Sequence, residues 1–262
     1  MRRLRRLVQK RALRWSEGVC VLEGPDLVAS ALAAGIEFEA IYIDEAHVRH
    51  GSHELTEIAA RHGVRVYSLA PGVLEKIADA TTPQPVLAAV RLPVVEVDAI
   101  AAEGLILVLH DVRDPGNAGT LVRSADAAGA TAVVFTGHSV DPFNPKTLRA
   151  TAGSIFHLPV AVGELASTLD SFASRGASTF ATVVRGGVDH RVVDYSSATV
   201  VVIGNEADGL DDESIARCDG AISIAMAGSS ESLNAGVAGS LIAFEAMWRR
   251  QDTKPESPTP SL

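Results

Sequence analysis

At 262 residues, 47% of them apolar and 21% charged, the chain has enough material for a real core and for one large or two ordinary domains. No stretch reaches the roughly 18 uninterrupted apolar residues of a membrane span, and the basic opening MRRLRRLVQKRALRW lacks the hydrophobic region and cleavage site of a leader, so membrane insertion and secretion are not expected. Cys20 and Cys218 form no CxxC pattern, which argues against a disulfide framework or a cysteine-bound zinc and for two buried thiols in a reducing cytoplasm. The net charge of −9 speaks against a nucleic-acid partner until its distribution is read. Arg2, Arg3, Arg5, Arg6, Lys10, Arg11 and Arg14 crowd the first 14 residues with no acid among them, so the rest is strongly acidic and the chain carries a basic arm. That arm is either an RNA-binding element or a solvated helix face.

In chain order, helical spacing from Leu4 to Leu13 predicts a basic amphipathic helix, followed by a strand at Val19 to Leu22. Gly24-Pro25-Asp26 starts a helix that buries Leu27, Val28, Ala31 and Leu32 and stops at Gly35. A strand at Ala40 to Ile43, a helix at Glu54 to Arg61, a strand at Arg65 to Leu69, a helix at Val73 to Ala80 and a strand at Val86 to Arg91 complete a small α/β domain over residues 1–95. His47, His50 and His53 repeat every third residue, but Gly51 interrupts them and no further ligand completes a set, so solvated loop histidines and no metal are expected.

Residues 96–104 read as a linker, within the stretch Leu92 to Gly104. The strand Leu105 to Leu109 opens a second domain over residues 105–250. A helix at Asn117 to Ala128, a strand at Ala132 to Phe135, a helix at Pro145 to Thr151, an apolar run at Ile155 to Val162, a helix at Glu164 to Arg175 and a strand at Thr179 to Val184 follow. The alternation predicts a parallel sheet flanked by helices. The chain then reaches its most informative part, a buried strand at Thr199 to Ile203, a turn carrying Gly204 and Gly209, a strand at Ala221 to Ile224, a Gly/Ser loop and a long helix from about Ser232. Residues 251–262 are polar and proline-rich and read as a disordered tail. Ligands of open α/β sheets bind at the carboxyl ends of strands, so the site is expected at these two loops. GxGxxG, GxxxxGK[ST] and GxSxG are absent, which weakens dinucleotide, P-loop and hydrolase readings.

GNEADG, then ISIAMAGSSESLNAGVA, and upstream Asn117-Ala-Gly-Thr-Leu-Val-Arg123 together resemble the three ordered motifs of the SpoU/TrmH family of RNA ribose 2'-O-methyltransferases, in the SPOUT class. VLEGPDLVASALAAG more loosely resembles an L30e-like substrate-binding domain that many members place first. The resemblance implies a trefoil-knotted catalytic domain in which the last helix threads the preceding loop, against the usual unknotted rule. It also implies S-adenosylmethionine as cofactor, a homodimer, no metal, and structured RNA as substrate, ribosomal RNA favoured. A transfer-RNA enzyme, a non-catalytic RNA-binding factor that kept the fold, and an unrelated small-molecule enzyme are the alternatives.

By resemblance the catalytic residues are Arg123, Asn117, Glu206, Ser232 and Asn234, and the cofactor-binding residues are Gly204, Ile224, Met226 and Leu233. Read alone, Arg123 is an ordinary exposed helix arginine, Asn117 and Ser232 are helix caps, Glu206 is a solvated loop acid, and Ile224 and Leu233 are core. A guanidinium is a poor base, so Arg123 is expected to grip a phosphate or the 2'-oxygen; the proton acceptor stays open among phosphate, Glu206 and water. Where the family has Ile-Pro-Met this chain has Ile224-Ala225-Met226, a loop freed of proline's fixed φ.

Overall fold

The computed structural model describes residues 1–45, 53–77 and 84–252. His47, His50 and the tail beyond Asp252 lie outside the described residues, as does the side chain of His53. The chain forms two compact units, one of residues 1–94 with 141–157, the other of 95–140 with 158 onward.

The first unit begins with α1 (Arg2–Gln9) and α2 (Arg11–Glu17), two helices where the spacing predicts one. Lys10 is extended at φ −120°, which breaks the helix. The carbonyls left open at the end of α1 are taken by Arg14, whose Nη1 donates to Leu7 O at 2.7 Å and Val8 O at 3.0 Å. Arg14 is only 2% exposed and its guanidinium also grips Asp141 at 2.6 Å. It is therefore withdrawn from the set of RNA-binding residues: it is a buried structural cation. Arg3 pairs with Glu17 and Glu39, each at 2.6 Å, while Arg2, Arg5, Arg6, Lys10 and Arg11 are exposed.

β1 (Val19–Glu23), α3 (Pro25–Ala33), β2 (Phe38–Asp44), α4 (His53–Arg61), β3 (Val66–Leu69) and β4 (Val86–Arg91) follow. The sheet order is β1-β4-β2-β3, with β4 antiparallel to both neighbours and β2 parallel to β3. Of the helix expected at Val73 to Ala80, the described part holds a 3-10 turn at Leu74–Lys76, and residues 78–83 lie outside the described residues. Cys20 is fully buried, as expected.

In the second unit the linker region holds a 3-10 turn at Val97–Ala99. Then come β5 (Leu105–His110), α5 (Pro115–Ala127) and β6 (Ala132–Thr136), followed by α6 (Pro145–Thr151), which belongs to the first unit. β7 (Val160–Gly163), α7 (Leu165–Ser174), β8 (Ser178–Thr182), β9 (Val188–Asp189), β10 (Thr199–Ile203), α8 (Asp212–Ala216), β11 (Gly220–Ser223) and α9 (Ala235–Asp252) complete it. All pairings in this seven-stranded sheet are parallel, in the order β7-β6-β5-β10-β8-β11-β9. Its central strands are apolar on both faces because helices cover both, so β5 and β10 read as continuous buried runs rather than alternating ones. The short α8 had no periodic signal. Cys218 beside it is half-buried rather than buried, and burial pushes its thiol up to about 11.

Candidate functional site

The carboxyl ends of β8, β10 and β11 open into a cleft of about 390 Å³, within the usual range for small-molecule sites. Ile203, Leu210, Ile215, Ile222 and Ile242 form an apolar wall, and Glu206, Asp208 and Glu231 bring carboxylates to its lining. Gly204, Ile224, Met226 and Leu233 all line it, as do Glu206 and Ser232. Ile224 and Leu233 are half-buried and Met226 is 37% exposed, so these are walls of an open cavity, not core.

The turn after β10 depends on two glycines. A Cβ on Gly204 would lie 2.6 Å from Gly209 C and 2.7 Å from Leu210 N, so the two arms of the turn close only over a hydrogen. Gly209 adopts φ 71° and closes the turn, with Asn205 and Gly209 exchanging backbone hydrogen bonds at 3.2 and 3.1 Å.

Three motif residues far apart in sequence meet beside this turn. Asn234 Nδ2 donates to Asn117 Oδ1 at 2.8 Å, and Asn117 Nδ2 donates to Glu206 Oε1 at 3.0 Å. Both amides are oriented by the ends of this chain: a carboxylate only accepts, and Asn234 Oδ1 must accept from Val237 N at the start of α9. Glu206 also accepts from Arg113 N at 3.3 Å and Asp114 N at 3.2 Å, so it pins the entry of α5 to the β10 turn. Burial pushes the Glu206 carboxyl up, but the bonds from Asn117, Asp114 and Arg113 outweigh it and hold the group below the ordinary glutamate value.

Two capping expectations are corrected. Asp114, not Asn117, is the N-cap of α5, its carboxylate accepting from Asn117 N at 2.8 Å; Asn117 is thus freed to bridge. Asn234, not Ser232, caps α9, which starts at Ala235. Ser232 stays in the loop, its carbonyl accepting from Ser230 Oγ.

Arg123 is exposed on α5 and is not among the residues lining its own chain's cleft. Sequence reasoning missed Asp114, Asn205, whose Nδ2 donates to Asp111 O at 3.2 Å, and the segment Thr182 to Arg185 that walls the cleft. The Asp-Pro pair ahead of α5 was a legible cap signal. The wall residues had none, because only the strand order puts β8 beside β10 and β11.

A parallel sheet with a glycine-turned, partly acidic cleft at its strand ends, rimmed by an amide relay, defines an α/β small-molecule-binding enzyme domain; the chain's other unit is a smaller mixed sheet. The chain belongs to the SpoU rRNA methylase family, whose model matches residues 104–244, and residues 1–88 match the MRM3-like substrate binding domain. It is 31% identical over 225 residues, 86% of each chain, to 23S rRNA (guanosine(2553)-2'-O)-methyltransferase RlmP of Bacillus subtilis. It is 36% identical over 192 residues to the 23S rRNA (uridine(2479)-2'-O)-methyltransferase of Streptomyces viridochromogenes, covering 70% of this chain and 67% of the relative. The solved structure of the SpoU methyltransferase AviRb of that organism, in complex with AdoMet, superposes with a TM-score of 0.87 at 28% identity, covering 97% of this chain and 98% of the other.

Proposed function

We propose that this protein transfers a methyl group from S-adenosylmethionine to a ribose 2'-hydroxyl of ribosomal RNA, with the second unit as the catalytic domain and the first as the RNA-binding domain. The observation that carries the reading is the Asn234–Asn117–Glu206 relay, which joins all three motifs at one cleft. The relatives named above act, by their names, on 23S rRNA, which favours ribosomal over transfer RNA. The cleft suits the cofactor: Gly204 lets the turn that lines it close, the apolar wall takes the faces of an adenine, and the lining carboxylates complement a sulfonium and an ammonium group. When bound, S-adenosylmethionine supplies an electrophilic methyl carbon.

The chain's own contribution is placement. Holding two reactants in line is worth up to about 7–11 kcal/mol, and no side chain here has to act as a strong base for that. Glu206, acidified by three donors, positions α5 against the cofactor turn instead of taking the proton, which leaves phosphate or water as acceptor. Ser232 and Leu233 form the cofactor loop together with Ile224 and Met226, and Ala225 leaves that loop without the family's proline. Arg123 is the group that meets the phosphate or the developing alkoxide.

Because Arg123 lies outside its own chain's cleft lining, its approach to the reacting ribose is assigned to a homodimer. Support comes from α9, where Val237, Leu241, Phe244 and Trp248 recur at i, i+4, i+7 and i+11, three of them 43–53% exposed. Such an apolar stripe on an outer helix face suits a helix of a second copy. Knotting of α9 through the preceding loop and action on RNA in the cytoplasm belong to the same reading; no helix among the described residues is long and apolar enough to cross a membrane.

The test is to map 2'-O-methyl positions in ribosomal RNA from cells with and without the protein, and to compare Arg123→Ala with Arg123→Lys in vitro. A methylated position that vanishes with the protein, and a loss in both variants deeper for alanine, are expected. Near-normal turnover in both variants removes Arg123 from the mechanism.

A further inference from the structure

On the first unit's sheet, Tyr42 of β2 and Tyr67 of β3 are direct cross-strand partners. Their rings stack with centroids 5.6 Å apart and planes 19° from parallel. Tyr42 packs against the core cluster that includes Leu4, Leu7 and Val8 of α1, whereas Tyr67 on the edge strand is 46% exposed. One ring therefore braces the other, which meets solvent.

The first unit carries exposed cations on the ring's side of the sheet, with Arg3 paired to Glu39. Ile41 N donates to Arg65 O at 2.9 Å, so the chain is already paired with β2 at Arg65, and strand alternation puts Arg65 on the same face as Tyr67. Arg65 is exposed. Across the same face runs α1, tied to β2 by the 2.6 Å Arg3–Glu39 pair and presenting Arg2, Arg5 and Arg6 outward. A solvated aromatic ring on a face that also carries guanidinium groups suits an unpaired nucleotide, whose base stacks on the ring while its phosphates meet the cations. An apolar protein partner would leave those cations desolvated without counter-charges.

We propose that Tyr67, braced by Tyr42 and sharing its face of the sheet with Arg65, is the stacking platform for one unpaired base of the RNA substrate. The proposal rests on the RNA methyltransferase reading and adds that the substrate presents an unstacked nucleotide to the first unit. Because Tyr67 is not among the residues lining the second unit's cleft, the platform sets KM and not kcat.

The experiment measures RNA affinity by anisotropy with fluorescently labelled fragments of 23S ribosomal RNA, together with kcat, KM and S-adenosylmethionine affinity, for the full chain and for Tyr67→Ala, Tyr67→Phe and Arg65→Gln. Tyr67→Ala is expected to weaken RNA binding about tenfold and raise KM to match, with kcat and cofactor affinity unchanged. Tyr67→Phe keeps the ring and should bind within about twofold of the parent, which also controls for folding. Arg65→Gln should lower the slope of log K against log salt by about one phosphate contact. If Tyr67→Ala binds as well as the parent while the parent methylates RNA, the platform falls and the functional reading stands. If Tyr67→Phe loses as much as alanine, the hydroxyl and not the stack is used, and the proposal is overturned. A changed sedimentation coefficient with unchanged RNA affinity would mark the face as a protein interface, also overturning it. A parent chain that neither binds nor methylates RNA takes down both readings.

Discussion

Replacing Asn117 by aspartate changes one atom's chemistry and reverses one arm of the relay. The remaining carboxylate oxygen still accepts from Asn234 Nδ2, so the arm to α9 survives. The other arm, a 3.0 Å bond from Nδ2 to Glu206 Oε1, becomes two like charges in contact. A hydrogen bond to a charged group is worth about 1.5–3 kcal/mol. Coulomb repulsion at that separation adds about 1.4 kcal/mol at the dielectric constant of water, the fitting value because Glu206 is exposed. The total of roughly 3 kcal/mol or more corresponds to about a hundredfold in kcat/KM, since each 1.4 kcal/mol is tenfold. The decisive measurement is kcat/KM of the double variant Asn117→Asp with Glu206→Gln. There the new amide donates to Asp at 117 and repulsion disappears, although the acceptor for Asp114 N is lost, so about tenfold should be recovered. A double variant no better than Asn117→Asp alone would refute the relay as a positioning device and return Glu206 to the candidates for proton acceptor.

Gly204→Ala forces a Cβ against the backbone of Gly209 and Leu210, a clash that no side-chain rotation relieves; it should cost about 1–3 kcal/mol and abolish cofactor-induced stabilisation in a thermal melt. Arg14→Met leaves Asp141 buried without its cation and opens the end of α1; a loss of about 3–5 kcal/mol is expected in denaturant unfolding, with much of it regained by adding Asp141→Asn. The carboxyl of Glu206 is held below its ordinary value, so its contribution is complete above the unfolded-state value near pH 4.3 and disappears as pH falls through the lower folded value. Glu39, held down by Arg3, and Asp189, held down by Arg191, act with the same sign. The difference in melting temperature between the parent and Glu206→Gln should therefore be constant from about pH 6 to 8 and shrink below about pH 4. A difference that grows on acidification would show that the sign has been misjudged.

The sequence by itself determined the second unit's parallel sheet and the place of the cleft at its strand ends. Buried β-branched runs such as Thr199–Ile203 and glycine-marked turns act through local chemistry, and local chemistry is written residue by residue. It also named the lining residues Gly204, Ile224, Met226 and Leu233, although only through resemblance, because a side chain that walls a cavity has the same composition as one that fills a core. What tertiary structure decided is who bonds to whom. Asn117 and Ser232 both looked like caps, yet Asp114 and Asn234 took those positions, since a cap belongs to whichever acceptor reaches the free N–H groups once the loop has bent. Arg14 shared a charge pattern with six other basic residues and was nonetheless drawn inside by Asp141, 127 positions away. Pairings over such separations depend on strand order and loop closure, which no local window of sequence contains.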